Sequence, residues 1–242
     1  MEQTVLVTGA SQGIGLATAK LLADSGMSVV GIARSYPEGG FPGEFYTADL
    51  SSRTETAQVM ERIIASHPVN CVVNNVGFNV VERLGEVDLD HFDRVIDLNV
   101  RTAIQITQFV LPGMLAEQYG RIVNVSSRGA LGREGRTSYG VAKSGLVGMT
   151  RTWALELARE GITANVVSPG PTATEMFRRN NLSGPDAAER ERAFLADVPM
   201  NRFGEVGEIA YGISVFLDRR AAFMTGQVLH VCGGSSVGMT AL

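Results

Sequence analysis

Short runs rich in β-branched residues alternate with helical patterns along the whole chain, and this alternation constrains the fold more than any other feature. After the first run, apolar residues recur at three- and four-residue spacing, as in an amphipathic helix. The predicted strands are 4–8, 28–33, 71–74, 121–126, 163–168 and 227–231, with a weaker one at 45–47. This order predicts an α/β fold, a doubly wound parallel sheet of about seven strands with helices on both faces.

No proline-rich or low-complexity linker divides the 242 residues, so we expect one domain spanning 1–242. One segment, from about 175 to 201, breaks the alternation. It contains Gly184, Pro185, a charged run at 186–192 and Pro199. A long insertion after a strand is typical of a lid, so we expect this segment to cover a substrate.

The charge and composition of the chain limit the kinds of molecule that it is expected to bind. The net charge is −4 and the Lys and Arg residues are scattered, which argues against nucleic acid or an anionic membrane as partner. No apolar run approaches the length of a membrane span, and the start of the chain lacks the pattern of a signal peptide. The two distant cysteines fit a reducing, cytoplasmic setting, and the three isolated histidines predict no metal site.

The first predicted strand runs directly into TGASQGIG, residues 8 to 15. Glycines let the backbone turn tightly and approach a ligand, while free amides at a helix start attract phosphate. A tight turn that binds nothing is the alternative. The second strand ends in Arg34 with no acid beside it, and an arginine there suits the phosphate of NADP better than the ribose of NAD.

Two polar features lie on helical patterns later in the chain. Asn99 interrupts an apolar stripe, and a buried amide needs hydrogen-bond partners, so it either braces a neighbouring strand or serves a site. Tyr139 and Lys143 are four residues apart and share a helix face, where the ammonium is expected to lower the pKa of the phenol. Such a pair also occurs in ordinary amphipathic packing. Ser126 ends a predicted strand, where its hydroxyl could hold a carbonyl oxygen.

Together, TGASQGIG, NNVG at 74–77, Asn99, NVSS at 124–127, YGVAK at 139–143 and NVVSPGPTAT at 165–174 resemble the short-chain dehydrogenase/reductase family. The likeness covers essentially the whole chain and is nearest to the subgroup similar to 3-oxoacyl-acyl-carrier-protein reductases. It implies a Rossmann-type fold and hydride transfer between NADP(H) and a carbonyl or secondary alcohol. Each motif is weak by itself, and their joint order carries the resemblance.

The resemblance also implies roles for individual residues. Tyr139 would be the general acid/base, Lys143 would lower its pKa and bind the nicotinamide ribose, and Asn99 would hold a water that leads to Lys143. Ser126, preferred to Ser127 by its spacing to the tyrosine, would orient the reacting group. The cofactor would be bound by Gly9, Ser11, Gln12, Gly13, Ile14, Gly15, Arg34, Asp49, Leu50, Asn75, Gly77, Tyr139, Lys143, Pro169, Gly170, Thr172 and Thr174.

Several matters stay open at this point. Gln12 stands where many NADP-dependent members carry a basic residue, which leaves Arg34 to favour NADP(H) over NAD(H). The substrate is a 3-oxoacyl thioester, or alternatively a sugar, steroid-like or other small alcohol oxidised with NAD. Arg178 and Arg179 either face an acidic carrier protein or are simply solvated. The resemblance implies a homotetramer, with a homodimer as the alternative. A nucleotide-binding sensor without activity is the rival from another class.

Overall fold

One sheet forms the centre of the computed structural model, which describes residues 3–182, 184 and 186–237. Its strands are β1 (Thr4–Thr8), β2 (Ser28–Ala33), β3 (Glu44–Thr47), β4 (Cys71–Asn74), β5 (Gly120–Val125), β6 (Ile162–Pro169) and β7 (Val228–Val231). They lie in the order β3-β2-β1-β4-β5-β6-β7, and all neighbours are parallel. The predicted doubly wound sheet is confirmed, and each predicted strand end lies within about one residue of the observed end.

Helices cover both faces of this sheet. They are α1 (Gly13–Asp24), α2 (Arg53–Ser66), α3 (Leu89–Ile96), α4 (Thr102–Glu117), α5 (Thr137–Leu157), α6 (Glu175–Asn181), α7 (Ala187–Ala196) and α8 (Val206–Leu217). A π-helical turn at Asp97–Arg101 joins α3 to α4. In the part of the chain described, no helix has the length and apolar character needed to cross a membrane.

The alternation of side chains along β1 shows how the core divides. Val5 and Val7 face the layer of α1 and α8, whereas Leu6 between them faces the layer of α2 and α4. Because successive side chains of a strand point to opposite faces, a sheet covered on both sides needs continuous apolar strands. All five residues of β1 are accordingly buried.

The strand order reverses between β1 and β4, so the loops after these two strands diverge at the carboxyl edge of the sheet. A crevice opens there, as it does in other doubly wound sheets. The segment 175–201, for which a lid role is predicted and which is called the lid for brevity, contains α6 and α7 and follows β6. Phe177 of α6 packs edge-on against Phe194 of α7, with ring centroids 5.0 Å apart. Residues 183 and 185 of the lid lie outside the described residues.

Candidate active site

A single cleft runs along the carboxyl edge of the sheet, from the glycine-rich turn after β1 to the lid. It is lined by every predicted cofactor residue except Gly15, and by Ser126. Asn99 stands behind the lining, next to Gly77. Residues far apart in the sequence are thereby brought to one place by the parallel strands that precede them.

The glycine-rich turn is built for a close backbone approach. Gly9 and Gly13 both have positive φ, at 66° and 56°. A side chain at Gly15 would place its Cβ 2.3 Å from the carbonyl oxygen of Gly9, so only glycine fits there. The side-chain amide of Asn75 donates to the carbonyl of Thr8 at 2.9 Å and so ties this turn to the loop after β4.

The start of α1 lines the cleft through Gly13 and Ile14. Its N-cap, Gln12, makes no side-chain hydrogen bond to the first turn, and the first turn contains no acidic residue. Uncapped amides at a helix start, together with the helix dipole, attract a negatively charged group. This end of the cleft therefore fits a phosphate.

Arg34 and Asp49 flank the cleft beyond the ends of β2 and β3. Arg34 is exposed, and its charge is one of the influences that lower the pKa of Asp49. The largest influence is a hydrogen bond from the backbone amide of Ser51, at 2.9 Å from Asp49 Oδ1. The Asp49 carboxylate is thus hydrogen-bonded within its own loop. The guanidinium of Arg34 lies at the rim of the cleft, where it can bind an anion.

Lys143 is buried on the inner face of α5, with 3% of its surface exposed. Its Nζ donates to the carbonyl of Val125 at 2.9 Å and lies 5.6 Å from the ring centroid of Tyr139. Burial lowers the pKa of Lys143 to about 8. The predicted shared face of Tyr139 and Lys143 is therefore present, and Leu146 and Thr150 continue it into the core.

Asn99 lies at the centre of the π-helical turn, and its side-chain NH2 donates to the carbonyls of Phe78 and Val95, both at 2.8 Å. Its Oδ1 is buried without a partner among the described residues. A Cβ on Gly77 would lie 2.8 Å from this oxygen and 3.4 Å from Lys143 Nζ. The oxygen therefore faces the neighbourhood of the ammonium, where a water could bridge the two.

The two serines at the end of β5 make different contacts, which bears on the predicted choice of Ser126 over Ser127. The Ser126 hydroxyl is buried and donates to the backbone carbonyl of Lys143 at 2.8 Å. Ser127, with its opposite orientation on the extended chain, is the serine whose hydroxyl interacts with the Tyr139 phenol and acts to lower its pKa. The spacing to Tyr139 is counted across a connecting segment, whereas the direction of each side chain is set by the end of the strand itself, so the contacts favour Ser127 as the serine beside the phenol.

The pKa of the Tyr139 phenol shifts in the direction opposite to the expected one. The pKa of Tyr139 is raised above its usual value of 10, because burial disfavours the phenolate. The interaction with the Ser127 hydroxyl and the charge of Arg136 act in the opposite direction. At neutral pH the phenol is consequently protonated, which is the form that can donate a proton.

Beyond Tyr139 the cleft is lined by residues for which no role was predicted. Phe78 follows β4, Arg133 and Arg136 precede α5, and Phe194 belongs to the lid. The available signal was the presence of three arginines within nine residues after β5, at 128, 133 and 136. In the described part of the chain, no group of three or more His, Cys, Asp or Glu side chains is placed to hold a metal ion.

Comparison with known proteins agrees with this geometry. Residues 9–236 match the family model described as enoyl-(acyl carrier protein) reductase. The 3-oxoacyl-(acyl-carrier-protein) reductase of Thermotoga maritima is 35% identical, over 95% of this chain and 96% of that protein.

Two solved structures show the same fold over 98% of this chain. One, described as a short chain dehydrogenase/reductase family protein, is 32% identical with a TM-score of 0.87 and is covered over 98% of its length. The other, from Beutenbergia cavernae with bound NADP at low occupancy, is 29% identical with a TM-score of 0.87 and is covered over 97%. The chain belongs to the short-chain dehydrogenase/reductase family, oxidoreductases that act with a nicotinamide cofactor on carbonyl and alcohol groups.

Proposed function

We propose that this protein interconverts a carbonyl and a secondary alcohol with NADP(H), and that Tyr139 is its general acid/base. One observation carries the proposal. The Tyr139 phenol, the Ser127 hydroxyl and the buried ammonium of Lys143 meet in the same cleft as the uncapped start of α1. A group that moves a proton and a site for a cofactor phosphate therefore share one cavity.

The residues present fit a nicotinamide dinucleotide. The turn around Gly15 leaves no room for a Cβ, and the amides that open α1 are free to meet the pyrophosphate. Arg34 at the rim favours the additional phosphate of NADP over the bare ribose of NAD. The related structure with bound NADP supports the same choice. When bound, the cofactor supplies the hydride for reduction or takes it up in oxidation.

Proton transfer is assigned to this chain's own side chains. In the direction of reduction, Tyr139 gives its proton to the oxygen of the substrate as negative charge develops there. Ser127 donates a hydrogen bond to the same oxygen and so stabilises that charge. The ammonium of Lys143 stabilises the phenolate that remains, and the free Oδ1 of Asn99 holds a water through which a proton returns.

The substrate class follows first from the relatives. The relative from Thermotoga maritima, which aligns with nearly the whole chain, is named a 3-oxoacyl-(acyl-carrier-protein) reductase. 3-Oxoacyl thioesters are therefore the first substrates to test. Arg178 and Arg179 of α6 lie exposed at the lid, where an acidic carrier protein could dock. Small ketones and sugar ketones are the second class of substrate to test.

Assembly and setting complete the proposal. Exposed apolar side chains such as Ile104 on α4 and Val141 and Leu155 on α5 would be covered in a homotetramer. The two cysteines are free thiols, as in a reducing, cytoplasmic environment.

A substrate screen tests the proposal. Purified protein is mixed with NADPH or NADH and with 3-oxoacyl thioesters, simple ketones or sugar ketones, and loss of the reduced cofactor is followed by its absorbance. We expect turnover with NADPH for at least one class, abolished in Tyr139→Phe. Tight NADPH binding without oxidation by any carbonyl would instead indicate a sensor that uses the fold without its chemistry.

A further inference from the structure

The substrate end of the cleft carries an excess of positive charge. Arg133 and Arg136, hereafter the arginine pair, lie between Tyr139 and the lid. Arg128 is close enough for its charge to act on Arg133. Glu175 also lines the cleft, and Asp197 attracts Arg133 from beyond ion-pair distance, so acidic groups are present but are not paired with these guanidiniums.

Arg133 is held in place by stacking. Its guanidinium carbon lies 3.7 Å from the centroid of the Phe194 ring on α7. Stacking of this kind fixes the plane of the guanidinium and leaves the N–H donors on its edge available. Among the described residues these donors meet no hydrogen-bond acceptor and no carboxylate at ion-pair distance. Arg133 is thus an exposed, positioned cation that has no counterion in the described part of the chain.

Arg136 is the buried member of the pair, with 7% of its surface exposed. It donates to the carbonyl of Val80 at 3.2 Å and to Oδ1 of Asn181 on the lid at 2.6 Å. Both acceptors are neutral, and no carboxylate in the described part of the chain neutralises the charge. Because a guanidinium has five N–H donors, Arg136 can donate further hydrogen bonds to a ligand.

Arg133 is exposed to solvent, whereas Arg136 is buried. The charges of Arg136 and Arg128 act to lower the pKa of Arg133, as expected for neighbouring like charges. A bound anion would reduce the repulsion between these guanidiniums and accept hydrogen bonds from them. We propose that the arginine pair binds a carboxylate of the substrate, so that the enzyme acts on small oxo acids and the matching hydroxy acids.

The position of the charge limits the size of this acid. Arg136 precedes Tyr139 by three residues at the start of α5, and its positive charge acts to lower the pKa of the phenol. Residues three apart on a helix lie roughly 5–6 Å apart at Cβ. The carboxylate would therefore be only a few bonds from the reacting carbonyl. A thioester delivered by a carrier protein has an uncharged acyl chain in that region.

This inference rests on the proposed function, because it places the anion relative to Tyr139. It is tested with a series of oxo acids that differ in the number of carbons between carbonyl and carboxylate. Each acid is compared with its methyl ester, and an acetoacetyl thioester is included. For the acid of best length we expect kcat/KM with NADPH to exceed that of its ester by roughly ten- to hundredfold, as for a charge-assisted hydrogen bond.

Variants at the arginine pair then identify the source of the preference. Arg133→Met keeps a long side chain against Phe194 but removes the charge, and it should lower the acid-to-ester ratio by roughly tenfold or more, mainly through KM of the acid. Arg133→Lys should retain part of the preference. The matched control is Arg151→Met on the exposed side of α5, which should leave the ratio unchanged.

The outcomes separate the two proposals. Equal use of acid and ester, or equal ratios in Arg133→Met and Arg151→Met, would overturn the carboxylate site while leaving the proposed function intact. If no carbonyl compound is reduced, the proposed function fails, and binding alone decides the inference. Thermal stabilisation by pentanoate but not by pentanamide, lost in Arg133→Met, would then support the anion site, and equal effects of the two would refute it.

Discussion

Replacing Ser127 with alanine removes the hydroxyl that interacts with the Tyr139 phenol. The same hydroxyl is proposed to hold the substrate oxygen while negative charge develops there, so its loss weakens the transition state more than the bound substrate. Removal of one such donor costs about a hundred- to thousandfold in kcat, or about 3–4 kcal/mol. KM should change by less than about threefold, because the interaction strengthens only during reaction.

The matched control is Ser126→Ala. This hydroxyl is buried and donates to the carbonyl of Lys143 at 2.8 Å, away from the phenol. Loss of one neutral hydrogen bond lowers the free energy of unfolding by about 1 kcal/mol, which is about 2–4 °C in Tm for a domain of this size. Its kcat should remain within about threefold of the parent protein.

The two variants are compared by kcat, KM and Tm with the same substrate and saturating NADPH. We expect Ser127→Ala to be the slow enzyme and Ser126→Ala to be the less stable one. A larger loss of kcat in Ser126→Ala than in Ser127→Ala would refute the reasoning, because it would mean that the inward-facing serine reaches the substrate.

Three further predictions concern the cofactor and the buried lysine. Gly77→Ala places a Cβ 2.8 Å from Asn99 Oδ1 and should lower kcat/KM by roughly tenfold. The control is Gly85→Ala, whose Cβ would meet no atom within 4 Å and should leave kcat/KM unchanged. Equal values of kcat/KM in the two variants would contradict the predicted clash at Gly77. Arg34→Asp should weaken NADPH binding by roughly ten- to hundredfold relative to NADH, as measured by titration of each cofactor, and an unchanged ratio would refute the assignment of Arg34. Because the pKa of Lys143 is about 8 in the folded protein and 10.5 in a free side chain, the unfolded chain binds more protons here between these values. The free energy of unfolding of the parent protein relative to Lys143→Met should therefore rise with pH across that window in denaturant titrations, and a fall would contradict the lowered pKa.

The sheet was predictable because its strands are buried on both faces. Runs such as Val5 to Val7 are continuously apolar and end at glycine-rich turns, and this pattern depends only on local sequence. The helical face shared by Tyr139 and Lys143 was predictable for the same reason, since a spacing of four on a helix fixes the geometry.

The direction of Ser126 and Ser127 was not predictable from spacing. Their orientation depends on how β5 ends and on the bond between Ser126 and the carbonyl of Lys143, a contact across 17 residues. The arginine pair was missed for a related reason. Arg133 gains its position from Phe194, which belongs to a helix of the lid about sixty residues further along the chain, so only the tertiary fold brings them together.

Turnover of Tyr139→Phe tests most directly whether this phenol moves the proton. The variant removes one oxygen and leaves the ring, so the affinity for NADPH, measured by titration, should stay within about twofold of the parent value, while kcat falls by about a hundred- to ten-thousandfold. Retention of more than a few per cent of the parent kcat, with NADPH bound normally, would contradict the assignment of Tyr139 as the general acid/base.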